Sequence, residues 1–129
     1  MSILQINIDD LIGVRYKENG RDKKGFDCYG YAMEVEKRFG YELPEIALDA
    51  KFRKQEIREE LLNKLNIVEI NKATNPSDLL LINDNKGIFS HIGVYLGNGK
   101  FTHCNIYGVH INNIKEYENR IGKVYKWQE

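Results

Sequence analysis

The chain has 129 residues, enough for one domain with a real core, and 42% of them are hydrophobic. Lys plus Arg equals Asp plus Glu at 19 each, so no basic excess exists to neutralise phosphates, which argues against a nucleic-acid partner. No apolar run is long enough to span a bilayer, and residues 1–5 lack the features of a secretion signal, so the expected setting is the inside of the producing cell with no membrane partner.

Asn7 reads as the N-cap of a short helix through Leu11, Ile12 and Tyr16, with Asp9 and Asp10 in its first turn. A polar loop, Lys17 to Gly25, leads into a second helix that starts at or beside Cys28. Tyr31, Ala32, Val35 and Phe39 recur there at the spacing of one helix face. Gly40 marks its end and Pro44 the break after it. A third helix is predicted over Leu48 to Leu65, where the mixed charges of Lys51 to Lys64 read as a solvated face. Beyond it the period switches to two. Strands are predicted over Ile67–Ile70, Asp78–Ile82, His91–Leu96, Lys100–Asn105, Gly108–Ile114 and Lys123–Trp127, separated by turn residues such as Asn75-Pro76, Asn83-Asp84-Asn85 and Gly97-Asn98-Gly99. Helices followed by an antiparallel meander describe an α+β fold. With only two prolines and no Gly/Ser-rich or repeated stretch, residues 1–129 read as a single domain.

Cys28 carries the strongest chemical signal. A thiol at a helix N-terminus sits where the helix dipole favours the thiolate, and the same unpaired N–H groups suit a developing oxyanion. The alternative is a small buried apolar residue. The chain has two cysteines, Cys28 and Cys104, which are expected to be free thiols. In the strand from His91, period two places His91, Gly93 and Tyr95 on one face. A two-residue turn would put His103 on the opposite face. A three-residue loop, Gly97-Asn98-Gly99, read as a type I turn followed by Gly99 in the left-handed conformation making a bulge, pairs Leu96 with Lys100 and sets both histidines on one face, roughly 7–8 Å apart at the backbone. His91 then faces Asn105, and His103 faces Gly93. The hairpin can thus present a base and a polar residue to orient it, which with Cys28 makes the set of a thiol enzyme. A zinc site from Cys28, His91, His103 and Cys104 is disfavoured, because the adjacent His103 and Cys104 point to opposite faces and no paired metal-ligand spacing exists.

Phe26-Asp27-Cys28-Tyr29-Gly30, His91-Ile92-Gly93-Val94-Tyr95-Leu96-Gly97 and Gly99-Lys100-Phe101-Thr102-His103 resemble the three signature blocks of the NlpC-type cysteine peptidases. These are papain-like hydrolases that cleave peptide bonds in the stem peptides of bacterial peptidoglycan. Order, spacing and length match from about Leu11 to Trp127. The resemblance implies a papain-like fold with helices packed on an antiparallel sheet of five to six strands. It implies Cys28 as nucleophile, His91 as general base and then acid, and His103 as the residue that orients His91. Asn105 is a rival orienter from the strand register. Tyr16 falls where the family lines its active site and Asp27 where it meets the substrate's free amine. Tyr29, in place of the family's usual residue after the cysteine, joins them as the expected substrate-binding set. No cofactor is implied. Glu18-Asn19-Gly20 replaces a common Trp-Gly-Gly, and Arg15 stands where proline is frequent. The long third helix resembles the phage-derived branch, which implies phage tail proteins as partners and a virion-carried enzyme. The implied function is a peptidoglycan endopeptidase. The alternatives are a tail-assembly or binding module with little turnover, or an acyltransferase or deamidase on the same scaffold.

Overall fold

The computed structural model describes residues 6–45, 65–83 and 89–128. The predicted third helix lies outside them except at Leu65, which packs against the core.

The first predicted helix is replaced by turns. Asn7 Oδ1 accepts from Asp9 N at 2.9 Å, Leu11 N bonds to Ile8 O, and Val14 N bonds to Leu11 O. Gly13, at φ +86°, stops any helical run. Backbone bonds across the fold decide this outcome. Gly13 N donates to Val109 O and Val109 N to Val14 O, while Leu11 is fully buried in the core. The apolar spacing that suggests a helix here serves a segment wrapped against the sheet. Arg38 clamps that segment by two bonds to the Asp10 carboxylate, at 2.7 and 2.9 Å.

Within the expected polar loop lies a small hairpin, β1 (Arg21–Asp22) and β2 (Gly25–Phe26), which the sequence reading missed. Helix α1 follows over Cys28–Phe39. Asp27 caps its start by accepting from Gly30 N, and Gly40 closes it in the left-handed conformation, its N–H bonding back to Lys37 O. Gly30 is required by packing. A Cβ there would lie 2.1 Å from Gly20 O, so the hairpin backbone presses directly on the first turn of α1.

The remaining strands are β3 (Ile67–Ile70), β4 (Leu79–Asn83), β5 (Phe89–Gly97), β6 (Lys100–Asn105), β7 (Gly108–Asn113) and β8 (Ile121–Trp127). They form one antiparallel sheet in the order β3-β8-β4-β5-β6-β7. A 3₁₀ helix, Ile114–Arg120, connects β7 to β8. Leu79-Leu80-Leu81-Ile82 is apolar throughout because both faces of the sheet are covered. Tyr31, Ala32, Val35 and Phe39 of α1 pack with Leu79, Leu81, Ile92, Val94, Cys104 and Tyr125. On the other face Leu80, Ile82, Tyr95, Phe101 and Val124 pack with Ile114 and Tyr117 of the 3₁₀ helix. The fold is thus α+β and papain-like, with a six-stranded sheet.

Candidate active site

Cys28 is the first residue of α1 and is almost buried, at 9% exposure. It is a free thiol, as is Cys104. Cys104 is fully buried, and its Sγ donates to Phe26 O at 3.3 Å. Burial, reinforced by the nearby Cys28 and Asp27, pushes the Cys104 thiol up to about 12. The start of α1 therefore lies beside the end of β6, the strand that carries His103.

The β5–β6 turn is built differently from the expected three-residue loop. Gly97 pairs with Lys100 across a two-residue turn, Asn98-Gly99, whose residues both have positive φ, 55° and 76°. The ladder then shifts by one residue between Tyr95 and Gly97, and resumes with Tyr95 opposite Phe101 and Val94 opposite Thr102. This bulge restores the register that the longer loop was expected to supply. Both histidines consequently come to one side of the hairpin, where His91 Nε2 and His103 Nδ1 lie 2.6 Å apart. The space over Gly93 is filled by the ring of Phe101. A Cβ at Gly93 would sit 2.9 Å from Phe101 Cδ2, and the Phe101 ring packs 4.7 Å from that of His103.

His103 is bonded on its other side as well, its Nε2 to Asn112 Oδ1 at 2.7 Å. Burial lowers the His103 pKa to about 4, with His110 and Arg120 adding to the effect and the Asn112 bond opposing it. The half-buried His91 is lowered to about 3, by burial first and by His103 next. Both imidazoles are neutral at pH 7. Asn112 was not among the expected site residues. Its signal was the Ile106-Tyr107 turn, which sets His103 opposite His110 and so brings the face of β7 that bears Asn112 against β6.

The other expected site residues have different surroundings. Asp27 is buried and spends Oδ1 on Gly30 N and Arg21 Nη1, at 2.6 and 2.8 Å. Its Oδ2 is buried with no hydrogen-bond partner among the described residues. Tyr16 is half-buried and bridges to Phe26, two residues ahead of Cys28. Tyr29, expected to meet substrate, is instead fully buried, with its hydroxyl donating to Pro44 O at 2.6 Å. That bond fastens the segment after α1 onto the helix start, a structural use for the departure at this position. Asn105, expected as a rival orienter, accepts at Oδ1 from Tyr107 N at 2.9 Å and so stiffens the β6–β7 turn. No group of three or more potential metal ligands occurs among the described residues.

The profile of the NlpC/P60 family matches residues 13–127. A "Probable endopeptidase NlpC homolog" of Haemophilus influenzae is 31% identical over 110 residues, covering 84% of this chain and 51% of that protein. The Escherichia coli K12 protein named "Murein DD-endopeptidase MepS/Murein LD-carboxypeptidase" is 32% identical over 109 residues, covering 83% and 51%. The chain thus spans about half the length of these curated relatives. Among solved structures, an NlpC/P60 family protein from Bacillus cereus superposes with a TM-score of 0.68 at 20% identity, over 92% of this chain and 37% of that one. The NlpC/p60 domain of the peptidoglycan hydrolase SagA superposes with a TM-score of 0.57 at 18% identity, over 92% and 89%. With a thiol opening α1, two mutually bonded histidines on β5 and β6, the strands that α1 packs against, and a profile match over nearly its whole length, this chain belongs to the NlpC/P60 family.

Proposed function

We propose that this domain is a thiol hydrolase that cleaves an amide bond in peptidoglycan stem peptides. The observation that carries the reading is the hydrogen-bonded run His91–His103–Asn112, held beside the helix that begins with Cys28. His91 takes the proton of Cys28, and the thiolate attacks the amide carbonyl. The N–H of Cys28 at the helix start helps to hold the oxyanion. The amine leaves with the proton from His91, and water, deprotonated by His91, then hydrolyses the thioester. His103 holds the imidazole of His91 in place. No cofactor enters any step. Murein peptides are favoured as substrate by the name of the Escherichia coli relative. Asp27 Oδ2, one residue from Cys28 and without a hydrogen-bond partner among the described residues, fits a role in holding a substrate's free amine. Tyr16 is assigned to the same wall of the site.

Digestion of purified peptidoglycan, with fragments identified by mass spectrometry, tests this reading. Soluble fragments are expected with the intact chain and not with Cys28→Ala, and their masses give the bond cut. Fragments from both proteins, or from neither across several wall chemotypes, overturn the hydrolase. The second outcome leaves the assembly module, among phage tail proteins or others, as the reading.

A further inference from the structure

The bonded run of the site does not end at Asn112. Asn112 Nδ2 lies 3.4 Å from Glu116 Oε1, and the same oxygen accepts from Asn113 N at 2.8 Å, which ties Glu116 in place at the start of the 3₁₀ helix. A carboxylate only accepts, so the amide of Asn112 must turn its NH₂ toward Glu116. The opposite orientation would set two acceptors against each other. That choice aims Asn112 Oδ1 at His103 Nε2, 2.7 Å away, which must therefore carry a proton. A neutral imidazole holds one proton, so His103 Nδ1 is an acceptor. Across the 2.6 Å contact, His91 Nε2 must then be the donor. The proton pattern is dictated link by link from Glu116 to His91.

We propose that Asn112 and Glu116 are positioning residues that fix the tautomers of both histidines, leaving Nδ1 of His91 as its one basic nitrogen. This rests on the hydrolase reading and adds to it two residues that touch neither substrate nor thiol. Their effect acts on the proton transfer between Cys28 and His91. Losing the partner that orients a metal-bound histidine lowers activity by roughly 10–100-fold, and a loss of the same order is expected here. The loss should fall on kcat, with KM little changed, because substrate contacts are intact.

The test pairs kinetics with NMR. In the unsubstituted protein at neutral pH, ¹⁵N-edited spectra of the imidazoles should show both His91 and His103 protonated at Nε2. A proton on Nδ1 of His91 overturns the proposal without any variant. Asn112→Leu should lose roughly 10–100-fold in kcat and show mixed tautomers, while Asn112→Asp, which keeps the acceptor, should recover most of the rate. If Asn112→Leu keeps kcat within about twofold and both tautomers, the relay is wrong although the hydrolase stands. If Cys28→Ala still releases fragments, the hydrolase reading fails and the NMR result alone decides the proton pattern.

Discussion

The two thiols of this chain sit near each other and have opposite chemistry. Cys104 is fully buried, bonded to Phe26 O, and has its pKa pushed up to about 12. Cys28 opens a helix and retains some exposure. Alkylating agents attack thiolates, so iodoacetamide at neutral pH should label Cys28 in the folded protein and leave Cys104 untouched. Peptide mapping by mass spectrometry checks this. Label on Cys104 under native conditions would show that the wall between β2 and β6 opens. The histidines make the complementary point. Two imidazoles lowered to about 3 and about 4 stay uncharged at neutral pH, and a base must be unprotonated to accept the thiol proton.

The elements that position these groups are tightly dependent on one another. The β1–β2 hairpin presses a carbonyl on Gly30, and Asp27 joins helix cap to hairpin through Arg21. Gly30→Ala must push backbone apart, since the atom in the way is Gly20 O. We expect a loss of roughly 1–3 kcal/mol, measured by urea unfolding, together with slower alkylation of Cys28. Unchanged stability would mean that the hairpin yields without cost. The helix α1 and all six strands of the sheet were legible because their apolar spacing, alternation or, in β4, continuous apolar run is unbroken: Tyr31, Ala32, Val35 and Phe39 in α1, for instance, and Ile92 and Val94 in β5. The first turn segment was misread because Leu11 and Ile12 carry a helical spacing that backbone bonds to Val109 override. A bulge at the β5–β6 turn was legible, but its place, between Tyr95 and Gly97 and not at Gly99, was not. Glycines at 97 and 99 suit more than one turn, whereas the requirement that both histidines share a face admits few. Asn112 and Glu116 escaped notice because their role depends on a second turn and on the helix after it.

At the scale of the whole molecule, α1 is tied to the sheet by a buried acid. Trp127 Nε1 of β8 donates to Glu36 Oε2 at 3.0 Å, while Tyr41 stacks on the Trp127 ring with centroids 4.5 Å apart. Glu36 is fully buried, its Oε1 has no partner among the described residues, and burial raises its pKa well above the ordinary carboxyl value. A carboxyl raised on folding stabilises the fold fully below its unfolded pKa, near 4.5, and loses that contribution as pH climbs toward the folded value. Glu36→Gln keeps an acceptor for Trp127 and removes the charge. Its melting temperature should exceed that of the parent at pH 7, by an amount equivalent to roughly 1–3 kcal/mol, with the gap closing toward pH 4. An equal gap at both pH values would show that ionisation of Glu36 plays no part. The bulge between Tyr95 and Gly97 sets which way every side chain of β6 faces. Adding or removing one residue there exchanges the inward and outward sets of everything downstream in β6, whereas a change of two restores them. Without a further bulge to absorb it, a change in the length of this connection must come in even steps to keep the histidine pair, so parity, and not loop size, is what the pair constrains.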